Sequence, residues 1–377
     1  MNPSPSKRCV PLPVFGCLIA VITSLCVVHS ACAAFDPNCN GRVFSITLQN
    51  DAKVVIGGEF TSVGGVESRQ GIARLHSDGS LDTGFNVQLD GVVYATAIQP
   101  DGGILVGGTF TSVNSSARPH LVRLHPDGTV DTSFRPQTGG APLKIVVLPN
   151  GQLLVGGVFQ SWANERRIGL VRLHADGRLD RSFNPRANEV VHSIAVQQDG
   201  RIVVGGDFTM LGQWRRVAIG RLYADGRLDH SFHPPAIEEF EALALQADGK
   251  VLVGGDFDEI GGQARASIAR LHQNGLLDQR FNPGAPGYGI HTLVVQPDGR
   301  ILVAGFVTEL GGQPVANIGR LNADGTADTT FKGAADSAVN VCAVQPDGSI
   351  VVGGWFTHLG DQPRNYIGRL LADGTVD

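Results

Sequence analysis

Seven side chains of mixed chemistry stand at nearly even spacing along this chain: Phe44, Tyr94, Lys144, His192, Glu241, His291 and Asn340. Tyr94, His192 and His291 can donate to a ligand oxygen, Glu241 can accept from a ligand hydroxyl, and His192, Glu241 and His291 are side-chain types used in proton transfer. A second set is contiguous in sequence. Trp162-Ala163-Asn164-Glu165-Arg166-Arg167 and Gln213-Trp214-Arg215-Arg216 combine two tryptophans with four arginines. Aromatic faces suit sugar rings or cations, and arginine forks suit carboxylate or phosphate. Trp162, Arg166, Arg167, Trp214, Arg215 and Arg216 are therefore candidate ligand-binding residues. The competing reading is that these tryptophans cap the edges of elements and the arginines are solvated. No Ser-His-Asp spacing, nucleophile elbow or close carboxylate pair is present, so no catalytic residue is assigned.

What positions these groups is a repeat. Gly57-Gly58-Glu59-Phe60 returns with its first glycine at 107, 156, 205, 254, 304 (as Ala304-Gly305-Phe306-Val307) and 353. A fixed period of about 50 residues signals a repeat architecture in which each unit buries its apolar face against its neighbours. In the fourth copy, Ser193 to Gln197 reads as a short apolar strand. Gln198-Asp199-Gly200 is a tight turn, and Arg201 to Thr209 is a second strand. A loop at 211–216 leads to a third strand, Ile219 to Tyr223. Ala224-Asp225-Gly226 turns again into a polar fourth strand, Arg227 to Phe232. The second strand is apolar at consecutive positions, as in Ile202-Val203-Val204, and must be covered on both faces. No stretch has a helical period.

Seven such meanders, covered face to face, predict an all-β, seven-bladed β-propeller over residues 34–377. The chain stops at Asp377, where other copies continue as Asp180-Arg181-Ser182-Phe183-Asn184-Pro185. Ala34-Phe35-Asp36-Pro37 supplies the matching continuation, so the N-terminal residues are expected to complete the outer strand of the last blade. In such a ring the first set of residues surrounds the mouth of the central channel. His192, Glu241 and His291 are metal-ligand types from successive blades, but blades are too widely set for one ion, and neither a metal nor a cofactor is expected.

Groups that recur once per repeat read as scaffold. Arg74, Arg123, Arg172, Arg221, Arg270, Arg320 and Arg369 share one slot. Asp82, Asp131, Asp180, Asp229, Asp278, Asp328 and Asp377 share another, diagonal to it across a hairpin. His76, His125, His174 and His272 also occupy one slot and cannot chelate together. Gly-Gly pairs in a strand indicate a bulge or close backbone approach.

Residues 1–33 read as an export signal. Lys7 and Arg8 precede an apolar run from Phe15 to Val28 and the cleavage-site triplet Ala31-Cys32-Ala33. The remainder carries 28 basic against 35 acidic side chains, which argues against nucleic-acid or acidic-membrane binding. Of its cysteines, Cys39 and Cys342 are either a disulfide or two unpaired thiols.

The run Gln296-Pro297-Asp298-Gly299-Arg300-Ile301-Leu302-Val303, with Arg123-Leu124-His125-Pro126-Asp127-Gly128, resembles the delta-60 repeat of bacterial β-propellers. Ala52 replaces a turn glycine, Asn150 and Asn274 replace turn aspartates, and Phe306 is shifted. The resemblance implies an exported propeller and no enzyme. The expected protein is an exported, periplasmic or extracellular, monomeric binding or scaffold module for an extracellular protein or polysaccharide. It has no membrane insertion once the signal is removed. The alternatives are a glycan lyase or hydrolase at the channel mouth and a purely structural spacer.

Overall fold

The computed structural model describes residues 34–377, so the proposed signal segment lies outside the described residues. Every secondary-structure element described is a strand. Each repeat forms one antiparallel sheet of three strands with the middle strand between the other two. In the fourth blade the inner strand is Val191–Val196, the middle strand Ile202–Gly206 and the third strand Ile219–Leu222.

Two expected features differ. The middle strand ends at Gly206, and the loop beyond it is a two-residue hairpin pairing Met210–Leu211 with Trp214–Arg215. The fourth strand shrinks to one bridge per blade, Leu222 to Leu228 in the fourth. The cause is local. Asp229 accepts bonds at 2.7 and 2.9 Å from the hydroxyl and amide of Ser231, turning the chain away from the ladder.

The core lies between blades, as a middle strand apolar on both faces requires. Ile202 and Val204 pack with Leu154 and Leu170 of the third blade, while Val203 packs with Phe240, Val251 and Val253 of the fifth. Val54 and Ile56 of the first blade cluster with Phe35 and with Val351 and Ile367 of the seventh. The glycine slot of the hairpin turn demands a left-handed backbone, and Ala52 adopts it with φ 64°. Asn150 and Asn274 cap their turns as the aspartates do, accepting from the amides of Gln152 and Leu276.

The once-per-blade charges tie each blade to the next. Arg221 donates to Asp229 at 2.7 Å, and its Nη1 donates to the Gln273 carbonyl on the following blade at 2.6 Å. Arg369 of the last blade reaches the Ser77 carbonyl of the first at 2.6 Å. Each guanidinium also lies over a phenylalanine: Arg221 over Phe232 at 4.7 Å, and Arg369 over Phe35 at 4.7 Å. Phe35 packs on Gly79 of the first blade, as Phe183 packs on Gly226 of the fourth. Residues 34–37 therefore join no strand ladder. They complete the last blade through one buried ring.

Cys39 and Cys342 are both free and buried, so no disulfide forms. They sit in different apolar clusters, Cys39 with Phe35 and Val63, Cys342 with Val339 and Val352. Burial pushes the Cys342 thiol up to about 12 and the Cys39 thiol higher still, with Asp36 adding to the latter.

Candidate site at the channel mouth

The Gly-Gly pair explains how the channel residues are aimed. A Cβ on Gly206 would fall 2.1 Å from the Val190 carbonyl oxygen, and one on Gly58 would fall 2.0 Å from that of Arg42. Only glycine lets the inner strand approach this closely, and there each inner strand carries a bulge. Val191 pairs with Gly206 and Ser193 with Gly205, leaving His192 unpaired between them. The same irregularity leaves Phe44, Tyr94, Glu241, His291 and Asn340 at the bulge of their blades. In the third blade Pro142 pairs with Gly157 and Lys144 with Gly156, so the bulge residue is Leu143. Lys144 belongs instead to the slot of Ser45 and Ser193, which also pair with the first glycine. This corrects the expected series. The constant 13-residue offset from the first glycine already distinguishes Leu143 from Lys144.

These residues, with Lys144, line one cavity of about 360 Å³ encircled by the inner strands of all seven blades. Phe44 and Tyr94 meet with ring centroids 5.6 Å apart. His192 stacks on Phe240 at 5.6 Å, and its Nε2 lies 3.8 Å from Asp207. Burial pulls the His192 pKa below the usual imidazole value, against the pull of Asp207. His291 faces Glu241 at 3.6 Å through Nε2 and Asn340 Oδ1 at 3.1 Å through Nδ1. Burial raises the Glu241 pKa; His291 opposes this, while Asp256 and Glu239 add to it. Among the described residues, no cluster of three His, Cys, Asp or Glu side chains could hold a metal ion.

Sequence reasoning missed a second tier on this face. Phe306 stands edge-on to His291 at 5.6 Å and to Trp355 at 5.9 Å. The Arg42 guanidinium lies 3.7 Å over Trp355 and pairs with Glu59 at 3.2 Å. Phe306 and Trp355 occupy the variable place after each Gly-Gly, where other blades have Glu59, Thr109, Val158, Asp207 and Asp256. That column was the available signal.

The family model described as a domain of unknown function (DUF5122) beta-propeller matches residues 49–85, 99–134, 148–183, 197–232, 246–281, 296–331 and 345–377. The chain belongs to this family. No curated protein matches it. Among solved structures, a streptogramin B lyase is similar over 85% of this chain and 93% of its own, with TM-score 0.53 and 16% identity. The virginiamycin B lyase of Staphylococcus aureus gives TM-score 0.54 at 15% identity over 85% of this chain and 94% of that one. The extracellular domain of a putative one-component system, BT4673, from B. thetaiotaomicron gives 0.51 at 12% identity. It covers 86% of this chain and 38% of that one. At these identities the likeness is one of fold.

The tryptophan–arginine set does not assemble. Trp162 is 1% exposed and stands edge-on to Phe159 at 5.1 Å. Its slot holds Val63, Val113, Leu211, Ile260, Leu310 and Leu359 in the other blades, each a buried plug beneath the hairpin. Arg167 is buried, pairs with Glu165 at 2.9 Å, and donates to the Arg166 carbonyl. Arg216 repeats that backbone bond at 2.8 Å, as do Arg69, Arg265 and Arg364 in their blades. Arg167 and Arg216 are thus scaffold. Trp214 is 48% exposed beside His230 at 4.8 Å, and Arg166 and Arg215 are exposed. The two-residue hairpin decides this: its first strand turns one side chain inward, and the residues past its turn face out.

Proposed function

We propose that the protein is an exported binding module that takes an extracellular ligand, a polysaccharide or a protein segment, at the mouth of its central channel. The observation that carries this reading is the convergence of the bulge residues. The position that varies most between otherwise uniform repeats opens, in nearly every blade, onto one polar cavity, and site chemistry on repeat folds resides in such variation. The aromatic sector of Phe306 and Trp355 beside the mouth offers flat faces for a sugar ring or a planar side chain. Similarity in fold to the extracellular domain of a one-component system is in keeping with export.

The test is an array screen of glycans and extracellular proteins, repeated with His291→Ala and Trp355→Ala. A saturable ligand lost in both variants is expected. A ligand that binds both as well as it binds the wild type would place recognition elsewhere, and an empty array would leave the spacer reading.

A second reading has one observation in its favour. Glu241, with its pKa raised by burial, faces His291, a pairing suited to acid–base work in a lyase or hydrolase. Incubating an array-positive glycan with wild type and Glu241→Gln, and sizing the products, separates the two. Cleavage abolished in the variant indicates the enzyme, and an intact glycan indicates the module.

A further inference from the structure

Lys144 departs from its slot. The equivalent side chains in the other blades are Ser45, Ala95, Ser193, Ala242, Thr292 and Val341, all small and uncharged. The lysine lines the central cavity and is open to the lumen, while the seven inner strands enclose that lumen. Among the described residues its ammonium has neither a hydrogen bond nor an ion pair. Lys53 and Lys250, in contrast, reach Asp82 at 3.0 Å and Asp248 at 2.6 Å. Lys144 is solvent-exposed within the lumen, so its ammonium keeps water contact but has no counter-charge at hand, and an anion entering the lumen meets a free positive charge. Enclosure alone holds the Lys144 pKa below the usual lysine range.

The other titratable groups facing the lumen do not supply the missing charge. Glu241 is directed to His291, and burial favours its neutral form; His192 lies beside Asp207. Elsewhere on the wall of the same cavity, Tyr94, Thr292 and Asn340 carry polar groups. Phe44 beside Tyr94 adds an apolar face. A space of about 360 Å³ suits a group of monosaccharide size. A single ammonium matches one negative charge, so a singly charged, hydroxyl-rich group fits this lumen better than a dianion, for which no second lysine or arginine is at hand among the lining residues.

We propose that the lumen receives a sugar acid whose carboxylate pairs with Lys144 Nζ and whose hydroxyls meet the polar ring. This rests on the channel-mouth reading above and names its ligand class as uronate. The carboxylate could belong to a free sugar acid or to a unit of an acidic polysaccharide. The two sources differ in what continues beyond the mouth.

Calorimetric titration of the wild-type protein, Lys144→Gln, Lys144→Arg and His291→Ala with D-glucuronate, D-glucose and a uronate trisaccharide tests it. Wild type should prefer glucuronate over glucose by about tenfold to a hundredfold, the range of a charge-assisted hydrogen bond. Lys144→Gln should erase that preference and Lys144→Arg keep most of it, with the Lys144→Gln melting temperature close to wild type. A trisaccharide that binds more tightly than the monomer assigns the source to a polysaccharide. Equal binding assigns it to the free acid, and both support the inference. Equal affinity for glucuronate and glucose overturns it, as does a preference that survives Lys144→Gln or the absence of glucuronate binding. If glucose and glucuronate bind alike and both are lost in His291→Ala, the channel-mouth reading stands while the uronate falls.

Discussion

Replacing Phe35 by alanine tests whether the ring is latched where its first and seventh blades meet. The side chain is 0% exposed, stacks beneath Arg369 at 4.7 Å, and packs on Gly79. Truncating a buried phenylalanine costs about 3–5 kcal/mol when the site cannot collapse. Unfolding entropy scales with length at roughly 2.1 cal/mol/K per residue, so for residues 34–377 each kcal/mol is worth about 1.4 °C. The expected fall is therefore about 4–7 °C in melting temperature, read by calorimetry or far-ultraviolet circular dichroism. Phe232→Ala is the internal control, since Phe232 is also 0% exposed and lies 4.7 Å beneath Arg221, in mid-chain. The two variants should agree within about 1 kcal/mol. If Phe232→Ala shows the full loss and Phe35→Ala less than about 1 kcal/mol, the N-terminal segment is not part of the seventh blade's core and the latch is refuted.

Acid should unfold the protein through its aspartate column. Burial raises the Asp229 pKa, but bonds from Ser231 and Arg221 outweigh it and hold the carboxyl at about 2. A depressed folded pKa means stability present above the ordinary value of 3.8 and lost as pH falls toward about 2. The melting temperature should drop across that window, with a shallower drop in Asp229→Asn, which itself costs about 3–5 kcal/mol at neutral pH by stranding Arg221. An equally steep acid limb in the variant would remove Asp229 as a contributor. Trp162→Ala should cost about 3–5 kcal/mol in urea titration, while Trp214→Ala stays within about 0.5 kcal/mol. The reverse order would contradict the inward and outward facing of the two hairpins.

Much of the scaffold is legible without coordinates because its logic is local. Asp225-Gly226 marks a turn by its own backbone preferences, and Arg221 finds Asp229 eight residues away across that turn. The double-faced apolar run Ile202-Val203-Val204 states that both faces are covered, and its side chains do enter two different interblade clusters. Ala52 shows a limit of composition. An alanine in a glycine slot gives no warning that it will adopt a left-handed backbone, yet the surrounding hairpin imposes one.

The site was less legible. Trp162 and Trp214 look alike in sequence, each close to a pair of arginines, and differ only by which side of a two-residue hairpin they fall on. In sequence the hairpin reads as a loop, which hides its inward plug. Even spacing along the chain puts Lys144 in the bulge series, whereas the pairing puts Leu143 there, because a slip of one residue in register transfers a side chain to the neighbouring slot. Arg42, Phe306 and Trp355 lie in different repeats and meet only where the seventh blade adjoins the first and sixth.

The sequence by itself determined the number of blades, the turns, and the arginine, aspartate and phenylalanine that each blade repeats, because these follow from a period and from contacts a few residues apart. The tertiary structure decided which residue each bulge turns toward the axis, that one lysine stands there without a counter-charge, and that residues one repeat apart share a single cavity. Those outcomes depend on how closely two backbones can approach over a glycine pair and on the first blade packing against the seventh, and neither distance is a property of any local stretch of chain.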